Sequence, residues 1–207
     1  MHCQAYQEIQ RNDVLRDEFN IPTDHRIIIY PGLFAEGRGL EQLIQATPYL
    51  DRAVVVLMGR DQLNGKLHAL VRQHHLEDRV FIRQPVPPHD VPRYVASADI
   101  GVMPTQSIDL SYHYGAGNKL FHYMMAGIPS AVSDQPEKRR IVETYGVGAV
   151  FDQTDPQDIA QIINALLNNS EEYQRISQRA KQVARERFNW RVESQKLTER
   201  YTELTRN

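Results

Sequence analysis

Three things are scarce in this chain of 207 residues, and each excludes a class of protein. Cysteine occurs once, as Cys3. That rules out an intrachain disulfide framework and a cysteine-rich zinc site, and it suits a reducing compartment. Long apolar runs are missing: the longest, Ala53–Met58, has the length of a buried strand and falls far short of the roughly 18 residues of a membrane span. A surplus of positive charge is also missing. Lys and Arg total 24 against 26 Asp and Glu, a net charge of −2, where a nucleic-acid binder shows a basic footprint. Polar residues rather than an apolar stretch follow Met1, so no secretory signal is expected.

What is present is a chain that is 41% hydrophobic and 24% charged, an ordinary soluble composition, with no internal repeat and no Gly/Ser linker. One folded unit is expected, preceded by a polar, helix-compatible stretch over residues 4–19 that Asn20-Ile-Pro-Thr-Asp24 interrupts. Short β-branched runs then alternate with helical spacing. Strands are expected at Ile27–Tyr30, Ala53–Met58, Val80–Ile82, Ile100–Met103, Ile128–Val132 and Val147–Phe151. Between them helices are expected from Leu40 to Thr47 and over Leu63–His74, His89–Ser97, Asn118–Ala126 and Glu137–Thr144. From Asp155 onward the pattern is helical in about three segments, opened by an Asp cap with Pro156 at the first helical position. Six strands alternating with helices predict an α/β fold, a Rossmann-like doubly wound parallel sheet. Ligands of such sheets bind beyond the carboxyl ends of the strands, so the loops after the strands hold the chemistry.

Two of those loops stand out. Gly32-Leu-Phe-Ala-Glu-Gly-Arg-Gly39 approaches a P-loop, but Arg38 replaces the lysine, Gly39 the magnesium-binding hydroxyl, and Glu36 sets a negative charge in the cradle. An ATPase is excluded on those grounds. The loop reads either as a plain turn with an exposed arginine or as a backbone that approaches an anion. The second segment is Tyr114-Gly-Ala-Gly-Asn-Lys-Leu-Phe-His-Tyr-Met-Met-Ala-Gly-Ile-Pro129. Leu120, Phe121, Met124 and Met125 share a face expected to be core, while Lys119 and His122 lie three apart on the opposite face. Gly115 and Gly117 lead into a helix start whose N–H groups point outward. This is either a solvated polar face or a site for a diphosphate and a ribose.

Taken together the motifs resemble the C-terminal domain of retaining glycosyltransferases of the GT-B fold, family 4 (glycosyl transferases group 1). The family stretch N-K-L-F-E-Y-M-x-A-G-x-P-V-V-A-S corresponds to Asn118-Lys-Leu-Phe-His-Tyr-Met-Met-Ala-Gly-Ile-Pro-Ser-Ala-Val-Ser133. Asp99-Ile-Gly-Val-Met-Pro104, Asp78-Arg-Val-Phe81 with Pro85-Val86-Pro87, Arg38-Gly39-Leu40-Glu41 and Phe188-Asn-Trp190 match further family segments in the family's order. The resemblance runs from about residue 20 to the end. It implies that Gly32 and Arg38 hold a donor diphosphate, that the backbone around Val86 meets the base, and that Tyr114, Gly115, Gly117, Asn118 and Lys119 surround the diphosphate and sugar. His122 stands where a ribose-binding glutamate is usual, Tyr114 where many members place a second glutamate, and Leu33 where some carry an arginine. A neutral imidazole offers one acceptor nitrogen, fewer than a carboxylate.

The resemblance also implies a division of labour. Residues 1–20 are expected to be the remnant of a linker or helix leading from an N-terminal acceptor domain, and 21–207 the nucleotide-sugar-binding domain. The acceptor half would be a missing N-terminal domain or a separate chain. The expected reaction is transfer of a sugar with retention from a nucleoside diphosphate sugar, which serves as co-substrate with no resident cofactor. Arg38 and Lys119 would be the catalytic cations, stabilising the departing diphosphate. No Asp-x-Asp occurs, so no metal is expected. A non-catalytic module that binds a nucleotide sugar or a partner, and a GT-B nucleotide-sugar epimerase, are the alternatives. A cytoplasmic location is expected, with at most a peripheral contact to the inner face of a membrane through the acceptor half. Lys138-Arg-Arg140 is expected to be a solvated helix face, and Ile176, Ala180, Val183 and Ala184 a packing stripe of the C-terminal helices.

Overall fold

The computed structural model describes residues 10–205. Helix α1 (Val14–Phe19) precedes β1 (Arg26–Pro31), α2 (Leu40–Ala46), β2 (Ala53–Met58), α3 (Lys66–Gln73), β3 (Val80–Arg83) and α4 (Val91–Val95). The second half runs β4 (Ile100–Met103), α5 (Leu110–Tyr114), α6 (Asn118–Ala126), β5 (Ser130–Ser133), α7 (Pro136–Tyr145) and β6 (Gly148–Phe151). Helices α8 (Pro156–Asn168), α9 (Ser170–Glu186) and α10 (Trp190–Thr205) close the chain. The six strands form one sheet in the order β3-β2-β1-β4-β5-β6, every pair parallel. This is the expected doubly wound arrangement.

The central strands are apolar without alternation because helices cover both faces. Ile28, Tyr30, Val55 and Leu57 face the side packed by α2, α3 and α8. Ile27, Ile29, Val54 and Val56 face the side packed by α6, α7 and α9. The stripe Ile176, Ala180, Val183 and Ala184 is buried as expected. Helix α8 opens as read: the Asp155 carboxylate accepts the Gln157 N–H at 2.9 Å.

Two polar contacts fix the sheet's centre. At the amino edge, the side chain of Asp99 is 1% exposed and accepts from Arg11 (2.6 Å), Arg26 (3.2 Å) and the Ile27 N–H (2.8 Å). The Tyr173 hydroxyl donates to the Asp99 carbonyl, which adds α9 to the clasp. Further along, the ring of Tyr123 from α6 rests on Gly101 of β4, where a Cβ would come within 2.2 Å of it. Its hydroxyl donates to the Val102 carbonyl at 3.0 Å and lies 3.4 Å from that of Ile29, so it spans β4 and β1.

The structure departs from the sequence reading in four places. Among the described residues the first helix begins at Val14, and residues 10–13 are not helical, since Arg11 extends to Asp99 and Asn12 bonds to the Arg93 carbonyl; residues 4–9 of the expected stretch lie outside the described residues. The residue pointing inward on α6 is Tyr123, fully buried, whereas Phe121 is half-buried against Phe188. Helix α5 has no counterpart in the sequence reading, since none of its residues is buried and no apolar period announces it. Lys138 is not part of a solvated face: it is 2% exposed, while Arg139 and Arg140 pair in the open with Asp134, Glu143 and Glu137.

Asp99→Ala would orphan the buried Ile27 N–H and release two arginines. A loss of about 3 kcal/mol of unfolding free energy is expected, read as a lower urea midpoint.

Candidate functional site

The strand order reverses at β1, whose neighbours β2 and β4 lead away on opposite sides, and the crevice opens above that point. Gly32 leaves the end of β1 at φ +149°, in the region that favours glycine. A Cβ there would stand 2.6 Å from Lys119 Cε, so the glycine makes room for the lysine. The Lys119 ammonium lies 4.6 Å from the centroid of the Tyr30 ring. Helix α6, which carries Lys119, starts at Gly117 (φ +73°) with no side-chain cap, leaving its first N–H groups open to a ligand.

A cavity of about 380 Å³ occupies this crevice, within the size of small-ligand sites. Pro85, Val86 and Val91 line it beyond β3, Met58 and Arg60 beyond β2, and Gly32 beyond β1. Asn118, Lys119 and His122 of α6 form the remaining wall. The wall beyond β3 is therefore apolar, while Arg60 and Lys119 bring positive charge to the rest of the lining.

The charge is of one sign. Burial, then Arg38 and Lys138, lower Lys119 to about 8. Burial and Arg38 lower Lys138 to about 8. Burial and Lys119 lower His122 to about 4, so its imidazole is neutral near pH 7. Burial also raises the Tyr30 hydroxyl, against the pull of Arg38. The Arg38 guanidinium carbon lies over the Tyr112 ring, 4.5 Å from its centroid, and its Nε is buried and unpartnered. Among the described residues no carboxylate forms an ion pair with Arg38, Lys119 or Lys138. A group of cations, Lys138 buried and Arg38 and Lys119 partly so, without counter-charge is costly for the empty protein and ready for an anion.

Of the residues singled out in the sequence, Gly32, Val86, Asn118, Lys119 and His122 meet in the cavity. Arg38 stands outside its lining and acts on Lys119 through its field. Gly117 and Gly115 flank the α6 start rather than the cavity, and Tyr114 is 60% exposed with its ring edge-on to His113. Arg60 and Lys138 escaped the sequence reading. Arg60 had a signal, because it follows Gly59 directly at the end of an apolar strand. Lys138 had none, since its neighbours Arg139 and Arg140 mask it.

Lys119→Met should stabilise the empty protein by about 1 kcal/mol at pH 7 by removing an uncompensated buried charge. The group's value in the fold, about 8, lies below its ordinary 10.5, so the unfolded chain binds more protons between those values. The advantage should therefore shrink as pH rises from about 8 to about 10.5, read from urea midpoints at both ends.

Comparison with known proteins supplies the family. The chain is 24% identical over 197 residues to the D-inositol 3-phosphate glycosyltransferase of Xylanimonas cellulosilytica, covering 93% of this chain and 46% of that protein. It is 27% identical over 191 residues to spore coat protein SA of Bacillus subtilis, covering 85% and 48%. The chain thus spans about half the length of these curated relatives. The fold superposes on Anabaena HepE, solved in complex with UDP and glucose, with a TM-score of 0.84 at 18% identity over 98% of this chain and 55% of that one. The family model for glycosyl transferases group 1 matches residues 11–183, most of the chain. By that match, and in keeping with its sheet and the motifs on its loops, the chain belongs to the group 1 glycosyltransferases.

Proposed function

We propose that residues 21–207 bind the donor of a retaining glycosyltransferase, a nucleoside diphosphate sugar, and that residues 1–20 lead to an acceptor domain in the same or another polypeptide. The observation that carries this reading is the cavity itself: an apolar wall at Val86 and Pro85, a neutral His122, and Lys119 beside Gly32. A base fits the first, a ribose the second and a diphosphate the third. Relatives point the same way, since HepE was solved with UDP and glucose.

In this reading the sugar–phosphate bond breaks as negative charge grows on the diphosphate. Lys119, Arg38 and the open N–H groups of α6 are placed to stabilise that charge in a site already shaped for it. Cations of the protein then do the work that a divalent ion does in metal-dependent transferases, and the reaction proceeds without metal. Helical segments long and apolar enough to cross a membrane are absent among the described residues, and the proposed reaction takes place in the cytoplasm. A second reading, a non-catalytic module that binds a nucleotide sugar or a partner, draws on the exposed Tyr114 and on a cavity lining that holds no carboxylate among the described residues.

Calorimetric titration with UDP, GDP and ADP tests the proposal. Saturable binding of one of them is expected, with Arg38→Ala and Lys119→Ala each weakening it at least about tenfold. Unchanged binding in both variants overturns the donor site. His122→Glu should tighten the same nucleotide by supplying a second acceptor for ribose hydroxyls; if binding appears only in that variant, the non-catalytic reading prevails.

Affinity should also depend on pH. Lys119 and Lys138, both lowered to about 8, are largely protonated in the empty site near pH 7. Each is half deprotonated at about pH 8 and must then take up a proton when the anion arrives, so affinity should begin to fall between pH 7 and 8 and fall steadily from 8 toward 10. A rise over that range would contradict the assignment of these lysines to the anion site.

A further inference from the structure

The cation nearest β5, Lys138, has entered the reading above only through its protonation. Lys138 sits in the first turn of α7, 2% exposed. Its ammonium donates to Gln135 Oε1 and, at 3.4 Å, to the Tyr112 carbonyl. Gln135 is itself buried, and its amide nitrogen donates to the Thr105 carbonyl and to Ser107 Oγ, both at 3.0 Å. Those two acceptors turn the Gln135 oxygen toward the lysine. Tyr112 in turn lies against the Arg38 guanidinium, 4.5 Å from it. The chain of contacts is therefore Gln135, Lys138, Tyr112, Arg38.

The charged groups around Lys138 are otherwise accounted for. On its own helix Glu137 pairs with Arg140, and Arg139 with Asp134 and Glu143. Asp109 caps α5 through the Tyr112 N–H, and His113 lies 3.2 Å from Ser107 Oγ. Asp152, at the end of β6, bonds to Thr154. What acts on Lys138 is a second cation, Arg38. A buried ammonium held by two carbonyl oxygens and faced by a guanidinium adds stability only if an anion arrives.

Position along the sheet gives that anion its form. The cavity runs from Val86 after β3 to Lys119 after β4, and Lys138 follows β5, one strand further. A nucleoside with its base at Val86 directs its phosphates along this line. Gly32 and Lys119 line the cavity, whereas Arg38 and Lys138 stand outside its lining; in the proposed pose a first phosphate meets the former pair and a second extends toward Arg38.

We propose that Lys138 is a specificity-determining positioning residue of the donor site, which holds Tyr112 against Arg38 and makes the site select a nucleoside diphosphate over the monophosphate. The proposal rests on the donor reading above. Lys138 does not touch the ligand; it acts through Arg38 and through its charge.

The test is calorimetric titration of the whole chain with UDP and UMP, GDP and GMP, and ADP and AMP. Wild type, Lys138→Met and Lys138→Arg are compared in two buffers of different ionisation enthalpy at pH 8.5. Lys138→Met should weaken the diphosphate about tenfold, the effect of one partly screened charge, and shift the monophosphate less than about twofold. Lys138→Arg should restore the preference. Proton uptake on binding the diphosphate should drop in Lys138→Met, which a purely structural role would not produce. Equal weakening of both nucleotides, no change in either, or failure of Lys138→Arg to restore the preference overturns the proposal. If wild type binds a diphosphate and Lys138→Met binds it as well, this proposal alone falls. If wild type binds no nucleotide, the donor reading falls and this falls with it.

Discussion

The contact between Tyr123 and Gly101 decides where the candidate site sits. Where a parallel sheet reverses its order, the chain leads away from two adjacent strands in opposite directions, and carbonyl oxygens at their ends are left facing a gap. Here those strands are β1 and β4, and the Tyr123 hydroxyl stands between the carbonyls of Ile29 and Val102. The ring approaches that closely only because residue 101 has no Cβ. Tyr123 belongs to α6, so the bond that closes the gap also sets the height and rotation of that helix. Lys119 and His122 follow from it, since they lie one turn away and on the adjoining position of the same helix. A core contact thus aims the site.

From there the energetics divide. The interior on both sheet faces is conventional, with the helices of each layer burying aliphatic side chains. The carboxyl edge is not. Arg38, Lys119 and Lys138 gather there with no carboxylate ion-paired to any of them among the described residues. Such an arrangement lowers stability in the empty protein and is retained where a ligand supplies the missing charge.

How much of this was legible depends on what made it. Strands such as Ile27–Ile29 and Val54–Val56 were readable because burial on both faces demands unbroken apolar runs. The family was readable from motifs on loops and from the α6 segment. Helix α5 was not, because it is held by Lys138 at the Tyr112 carbonyl, by the Asp109 cap and by Ser107 at His113 rather than by a buried face, and polar tethers leave no periodicity. Tyr123 and Phe121 exchanged places because a tyrosine's polar tip disguises a core position until its acceptors are known. Lys138 was hidden by its neighbours: each helical residue turns about 100° from the last, so one lysine of a basic run points inward while two arginines point out. Linear charge patterns cannot register that rotation.

The Asp99 clasp has a consequence of another kind. It ties β1, the segment at Arg11 and α9 together at the amino edge, while the cations occupy the carboxyl edge. Cohesion and the proposed recognition are thereby vested in opposite poles of one sheet. Lineages of this fold are then free to rewrite the recognising pole, residue by residue, without loosening the knot that keeps the chain folded.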